Sequence, residues 1–411
     1  MDKVINSVGD SAFERSQANA STSNHISGQA ILIQEVDSKK KLRIFIHLPA
    51  IIHKNHTNWV PPIYMDEWEF FDPKKNLSFQ SCDTIMLLAY RANVAVGRIM
   101  GIIHRKYNEL HKENHARFAF FETFDDDEVA SALIGAVESW GKKKGMEQLI
   151  GPLAFSEKDP QGFLIEGFDE PAVIASNCNF PYQVDLLEKN AFMKKVDLVV
   201  YQIKIPDPLP EFYRKINERA VLRNPGLHIL EFTSRRKVRP YIYSVLRLLN
   251  LAFTEIYGFI PFSEKEMDNF ANRYLFLINP RFIKLIVTDQ NELIAFVVGM
   301  SHIGDGIKAA KGYLFPFGIL RIFAAGRKSK QLNLLLGGIA PAYRGKGLDV
   351  MMGVKMLESA RALGKTTIDS HLELEDNMKI RAEMEKLGGR VYKRFRIFSK
   401  KLNVLLSIAD N

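Results

Sequence analysis

The stretch Leu332-Asn-Leu-Leu-Leu-Gly-Gly-Ile-Ala-Pro-Ala-Tyr-Arg-Gly-Lys-Gly-Leu348 governs how the rest of the chain is read. An apolar strand pattern, Leu332–Ile339, stops at Pro341. A basic, glycine-rich turn follows, and a helical pattern, Gly347–Leu363, begins at once. Gly345 and Gly347 let the backbone curl and bring its N–H groups close to a ligand. The helix start adds N–H groups with no intrahelical acceptor and the positive end of the dipole. Arg344 and Lys346 add charge, and together these features make a pyrophosphate cradle. R-G-K-G alone would equally suit a solvated strand-to-helix turn, and only its place between a fourth strand and a helix favours the cradle. No Walker loop G-x-x-x-x-G-K-S/T occurs. The strand is not the first of a β-α-β series, so the dinucleotide fingerprint fails too.

Upstream and downstream of this stretch the second half shows an ordered series. Strand Leu227–Phe232 is followed by helices Pro240–Glu255 and Ser263–Phe276, then strands Phe282–Thr288 and Leu293–His302. Past the turn come strand Thr367–Leu374, helix Asn377–Leu387 and strand Arg390–Lys401. The first half has the same grammar: strand Ala30–Val36, helix Lys40–His53, strands Thr84–Tyr90, Val94–Ile103 and Ala116–Glu122, helix Glu128–Lys144, strand Gln148–Phe155, helix Pro181–Asn190 and strand Leu198–Ile205. That internal repeat in topology suggests duplication. Prolines at 206, 208 and 210 break the pattern. The expected organisation is a flexible tail over residues 1–29, a first domain over 30–205, a linker over 206–226 and a second domain over 227–411. The expected fold is α/β (α+β), each domain a mixed, mostly antiparallel sheet flanked by helices.

Composition permits two ordinary cores. The 411 residues are 46% hydrophobic and 25% charged, as in a globular protein. Two cysteines, Cys82 and Cys178, exclude a disulfide framework and suit a reducing, cytoplasmic setting. Either reads more simply as a small buried hydrophobe than as a catalytic thiol. The formal charge of +9 suits an anionic ligand or surface without choosing one. No apolar run of membrane-spanning length is present, and the Ser- and Asn-rich start lacks a signal-peptide apolar region. His111 and His115, and likewise His53 and His56, lack the further ligands of a metal site, so no metal is expected. The aromatic cluster of Trp59, Trp68, Phe70 and Phe71 has no interleaved basic residues, so core packing explains it better than base stacking. Nucleic-acid binding is a third, weaker option that rests on charge alone, and no nucleic-acid partner is expected.

Ile339-Ala-Pro-Ala-Tyr-Arg-Gly-Lys-Gly-Leu348, with Leu374-Glu-Asp-Asn377 and Glu385-Lys-Leu-Gly-Gly389, resembles the GNAT family of acyl-CoA N-acyltransferases over about Leu227–Lys401. Gly151-Pro-Leu-Ala-Phe-Ser156 through Gly162-Phe-Leu-Ile-Glu-Gly-Phe-Asp169 resembles the leading domain of tandem GNAT-type bacterial proteins. The resemblance implies acetyl-CoA or another acyl-CoA as co-substrate, with its pantetheine arm on the strand end Ile339–Ala340 and its pyrophosphate on Arg344, Gly345, Lys346, Gly347 and Leu348. It also implies direct attack of an amine on the thioester, which requires a base, a carbonyl polariser and a proton for the departing thiolate.

The chain departs from the family at two points. Asp349 stands where a last small loop residue is usual, and is expected to point away from the phosphates. Met384 stands where many members carry a tyrosine general acid, and Tyr392 is the substitute candidate. For the base, Asp369, His371, Glu373 and Glu375 alternate along Thr367–Glu375 and would share one face. Asp369 and Glu375 are the first choices, against the plainer reading of a solvated polar face. In the first domain, Asp125–Asp127 at the helix start would repel a pyrophosphate. Ser156, Asp159, Glu166 and Asp169 could line an acceptor pocket between domains or form an ordered acidic loop. The insert Gly312–Lys330, apolar then basic, could be a packed helix, an interfacial helix or a lining for a long acyl chain. The function expected is therefore acyl transfer, foremost acetyl transfer, to a small-molecule or lipid amine. The alternatives are a non-catalytic acyl-CoA-binding or membrane-surface protein and a long-chain acyltransferase for a lipid amine.

Overall fold

Alternating apolar residues in the two longest early strands divide between two sides of a sheet. A computed structural model describes residues 29–402 except 174–175, 255 and 269–275. The strands in chain order are β1 (Ile31–Glu35), β2 (Cys82–Arg91), β3 (Val94–His104), β4 (His115–Thr123), β5 (Gln148–Gly151), β6 (Phe163–Glu166) and β7 (Met193–Lys204). They continue as β8 (Leu227–Glu231), β9 (Ile283–Thr288), β10 (Leu293–Ser301), β11 (Gln331–Ile339), β12 (Thr367–Asp369), β13 (Glu373–Leu374) and β14 (Arg390–Lys401). Six helices matter below: α1 (Lys39–Ile52), α2 (Asp127–Lys143), α3 (Glu211–Arg223), α4 (Gly318–Lys328), α5 (Leu348–Ala362) and α6 (Met378–Lys386). The expected tail over residues 1–29 lies almost wholly outside the described residues, as does much of the expected helix Ser263–Phe276.

The described chain forms two compact units, and neither is one continuous stretch. Unit 1 takes the chain up to Leu198, then Gly304–Ile322, then the chain from Lys393. Unit 2 takes Val199–Ile303 and Phe323–Tyr392. Each unit is thus completed by residues from the other half of the sequence. In unit 1 the strand order is β1-β2-β3-β4-β5-β14, and only β4 and β5 run parallel. In unit 2 it is β7-β12-β11-β10-β9-β8, and only β11 and β12 run parallel. The architecture is therefore mixed α/β with mostly antiparallel sheets.

Period-two alternation places the cores. In unit 1, Leu87 and Ile99 pack with Val129, Leu133 and Val137 of α2, while their neighbours Leu88 and Met100 pack with Phe45 and Leu48 of α1. Helix α2 begins on the Asp126 cap and buries residues four apart on one face. Unit 2 divides alike. Leu285 and Phe296 meet Leu248 and Leu249, whereas Ile286 and Ala295 meet Leu348, Met351 and Met352 of α5. Each Val, Leu, Ile, Phe or Met side chain so buried stabilises its unit by roughly 1.5–3 kcal/mol.

Three local expectations need correction. The 206–226 stretch is not a bare linker, because α3 occupies most of it and buries Ala220 against the start of α5. The prolines stop helix formation only up to Pro210. The expected strand Gln148–Phe155 ends at Gly151, before a proline that has no N–H to give a ladder. The expected strand Thr367–Leu374 is broken into β12 and β13. Asp369 Oδ1 accepts the His371 N–H at 2.9 Å, His371 takes a φ of +64°, and Ser370 bonds to Tyr201 through both its N–H and its Oγ. Asp369, His371, Glu373 and Glu375 therefore do not share a face by strand alternation.

Candidate active site

The parting of β11 from β12 shapes the site in unit 2. The two strands pair only at Gln331–Thr367, Leu332–Ile368 and Asn333–Asp369. Beyond that point β12 ends, while β11 runs on to Ile339 hydrogen-bonded, among the described strands, to β10 alone. Val298 faces Leu336 and Gly299 faces Leu334, which leaves Leu335 as an extra residue. Such a bulge bends its strand. The result is a wedge with Asn333 and Asp369 at its apex and a free strand edge along one side.

At the far end of that edge lies the glycine turn. Gly345 and Gly347 have φ of +76° and +82°, the left-handed region where glycine carries no Cβ penalty. A Cβ at Gly345 would meet nothing within 4 Å. Gly347 occupies the N-cap of α5 and offers no side chain to cap it. Among the described residues, no acceptor takes the amides of Gly345, Lys346, Gly347, Leu348, Asp349 or Val350. Leu348 is fully buried, so packing anchors the first helical turn. Asn224 Nδ2 donates to the carbonyls of Ala220, at 2.7 Å, and Lys346, at 2.9 Å, and ties the turn to α3. The Lys346 ammonium lies 4.6 Å from the Tyr343 ring centroid. Arg344 Nη2 donates to the Ala252 carbonyl at 3.1 Å.

One expected contact changes. Ala340 gives its N–H to the Ile294 carbonyl at 2.8 Å and accepts the Tyr343 N–H at 2.8 Å. Its main chain is already engaged within the protein, which moves the start of any free edge back to Ile339. The negative charge of Asp349 falls on Glu383 of α6, whose carboxyl is pushed up by burial first and by Asp349 second.

At the apex, Tyr392 Oη donates to Asp369 Oδ2, and both residues are buried. Gln331 Nε2 donates to Asn333 Oδ1 at 2.7 Å, which places both side chains on one face of β11. Asn333 and Asp369 are register neighbours in a parallel pair, so that face is shared. The Asn333 Nδ2 group is buried without an acceptor among the described residues. A buried amide N–H left unpaired costs about 1–3 kcal/mol, so this donor is suited to a ligand oxygen. Sequence reading missed Asn333, because an asparagine inside an apolar run gives no sign of its orientation.

Glu375 lies beyond β13, in the turn before α6, where Arg381 Nη1 donates to its carbonyl at 3.0 Å. Glu373 keeps an opening to solvent but is closely surrounded. Burial, aided by Glu383, pushes its carboxyl up to about 8. Met384 packs into the apolar cluster of Ile203, Leu332 and Ile368. In unit 1, Ser156 and Asp159 bond to each other's loop, with the Ser156 N–H on Asp159 Oδ2 at 3.1 Å, and Glu166 pairs with Arg394 at 3.2 Å. Those contacts are what an ordered loop requires. Among the described residues no helix is long and apolar enough to cross a membrane.

No model of a known protein family matches the chain. Among curated proteins it is similar to Protein YghO of Escherichia coli strain K12, 26% identical over 397 residues covering 92% of this chain and 97% of that one. It is also similar to the bacterial ceramide synthase of Caulobacter vibrioides strain NA1000 / CB15N, 26% identical over 378 residues covering 89% and 96%. Among solved structures, a tandem GNAT protein from the clavulanic acid biosynthesis pathway aligns with a TM-score of 0.53, at 11% identity, over 91% of this chain and 99% of that one. The fold of this chain is the GNAT fold in its tandem form.

Proposed function

We propose that this protein is an acyl-CoA-dependent N-acyltransferase whose acceptor is a long-chain amine of lipid type. The observation that carries the acyl-CoA reading is the wedge: an unpaired edge of β11 that joins an uncapped helix start at one end to the Asp369–Tyr392 pair at the other. The amides of 345–350, with Lys346, would hold a pyrophosphate, and the edge ending at Ile339 would take the amide groups of a pantetheine arm. Bound acyl-CoA supplies an activated thioester carbonyl. In this reading Asp369 would remove a proton from the attacking amine. Tyr392 would give one to the departing thiolate, and the Asn333 amide would hold the carbonyl oxygen as it gains charge.

A lipid amine rather than a small one is favoured by two facts. A relative of nearly equal length is named for ceramide synthesis, and a ceramide is the amide of a fatty acid with a long-chain amino alcohol. In addition, the insert leaves Phe315, Phe317 and Leu320 exposed beside Arg321, a composition suited to contact with a lipid surface. The test is release of free CoA and formation of amide from palmitoyl-CoA and sphinganine, with acetyl-CoA and spermidine as the small-substrate pair. Exclusive use of the small pair would overturn the lipid assignment. Retention of CoA without turnover of either pair would support the non-catalytic binder instead.

A further inference from the structure

Unit 1 contains a hydrogen-bonded chain of titratable groups that the wedge does not use. His53 is buried on α1's C-terminal side, and its Nε2 lies 2.9 Å from Glu122 Oε2. Gln183 Nε2 donates to the same oxygen at 3.2 Å. His53 Nδ1 lies 2.9 Å from His56 Nδ1, and His56 Nε2 lies 3.8 Å from the Cys178 sulfur. Aromatic rings hold these imidazoles in place. His53 is stacked between Trp59 and Phe180 at 5.1 and 5.0 Å, and His56 lies on Phe180 at 4.2 Å. Cys178 is seated between two clamped asparagines: Asn177 Nδ2 donates to the Gly162 carbonyl, and Asn179 bonds to the N–H and carbonyl of Leu164.

The chain has a direction. His53, then Arg98 and Gln183, hold the Glu122 carboxyl below the usual range despite burial. With His53 as a neutral imidazole donating Nε2–H to the carboxylate, its lone pair lies at Nδ1. His56 must then donate Nδ1–H, which leaves its Nε2 as an acceptor aimed at the thiol. Burial, and after it His53, depresses His56 to about 4, so a lasting imidazolium there is disfavoured. A proton taken at Nε2 can instead be passed on through Nδ1 to His53, where the Glu122 carboxylate balances the charge. This is a thiol, a base and an orienting carboxylate, with one extra imidazole between. Among the described residues no group of three or more His, Cys, Asp or Glu is arranged to hold a metal ion.

We propose that Cys178 is an acyl-accepting thiol, S-acylated by acyl thioesters with the His56–His53–Glu122 chain as its base. In the step, Cys178 Sγ bonds to the thioester carbonyl carbon while its proton passes to His56 Nε2 and the His56 Nδ1 proton passes to His53. The bond from that carbon to the departing sulfur then breaks, and the proton returns along the chain to the free thiolate. No oxidant or reductant is required. Burial pushes the Cys178 thiol up to about 12, so no standing thiolate is available to a peroxide, whereas attack on a carbonyl can be concerted with proton removal. The charges of Lys393 and Lys308 also fall on this thiol and favour negative charge as it develops.

The test incubates the full chain with palmitoyl-CoA, and separately acetyl-CoA, without an amine, followed by intact-mass measurement before and after neutral hydroxylamine. One hydroxylamine-labile acyl group on Cys178 is expected, absent in Cys178→Ala and formed at least about tenfold more slowly in Glu122→Gln and in His56→Gln. No labile adduct with either thioester, an adduct on Cys82, or equal rates in the folded variants would overturn the assignment. Should both variants fail to fold, the wild-type adduct and its residue decide alone. Amide formation in the presence of sphinganine reports separately on unit 2, so either conclusion can fail without the other.

Discussion

The two units are built on the same plan, and they differ where the second is open. In both, one parallel strand pair is joined for three register positions and then parts: β4 from β5 after Arg117 and Ile150, β11 from β12 after Asn333 and Asp369. In unit 1 the protein's own chain fills the gap. Leu153 gives its N–H to the Phe118 carbonyl at 2.9 Å, and Arg117 Nη1 holds the carbonyls of Ala154 and Phe155. The helix that follows is closed as well. Asp126 Oδ1 accepts from the Glu128 and Val129 amides at 3.1 Å, and Arg91 bridges Asp126 and Glu128. In unit 2 the corresponding helix start has a glycine cap and amides without acceptors among the described residues. An internal carboxylate and an external phosphate compete for the same N–H groups, so a helix start serves one or the other.

That contrast can be broken at several points. The largest effect is expected at the apex. Asp369→Asn should lower amide formation by ~100-fold or more, with little change in CoA binding, as seen by turnover against calorimetry. Tyr392→Phe, which keeps the ring and removes the donor, should cost ~10-fold in turnover. Next comes the cradle. Gly347→Asp would give α5 the acidic cap that α2 already has, and should weaken CoA binding by ~30-fold, about 2 kcal/mol. A positive φ at that position is one that aspartate tolerates better than most residues, so circular dichroism should report an intact fold. The reverse change, Asp126→Ala, should destabilise unit 1 by about 1 kcal/mol without creating CoA affinity.

The smallest effect sharpens the acid–base assignment. The Glu373 carboxyl ionises near 8 in the folded chain against an ordinary 4.5. Between those values the folded state keeps a proton that the unfolded state has released, so stability contributed by this group falls as pH rises through that window. Glu373→Gln should therefore narrow the difference in melting temperature between pH 5 and pH 9. An unchanged difference would mean that Glu373 is solvated and ionised like an ordinary glutamate.

Much of the plan was legible because its signals are local. Leu332–Leu348 announces strand, turn and helix through residue type alone, and the structure begins α5 at Leu348. The Asp125–Asp127 run likewise marks a helix start closed to phosphate. Asp369 and Tyr392 could be picked as candidates, but their contact spans 23 residues of separation and arises from two strands on either side of β7. Strand alternation does not bring Glu375 to the face of Asp369, because Asp369 turns the chain with its own carboxylate, a hydrogen bond that no periodicity reveals. The Cys178 chain was more hidden still. His53 and His56 looked like decoys, and the residues that give them meaning come from β4 and from the stretch before Pro181.

By itself, then, the sequence determined the alternation of strands and helices, the repeat and the glycine turn, because hydrophobic period and backbone freedom are properties of neighbouring residues. Only the tertiary structure decided which gap stays open, which amides remain unbonded and which carboxylate meets which phenol or imidazole. Those outcomes depend on groups far apart in the chain competing for one another's hydrogen bonds, and that competition is resolved only when the sheets assemble.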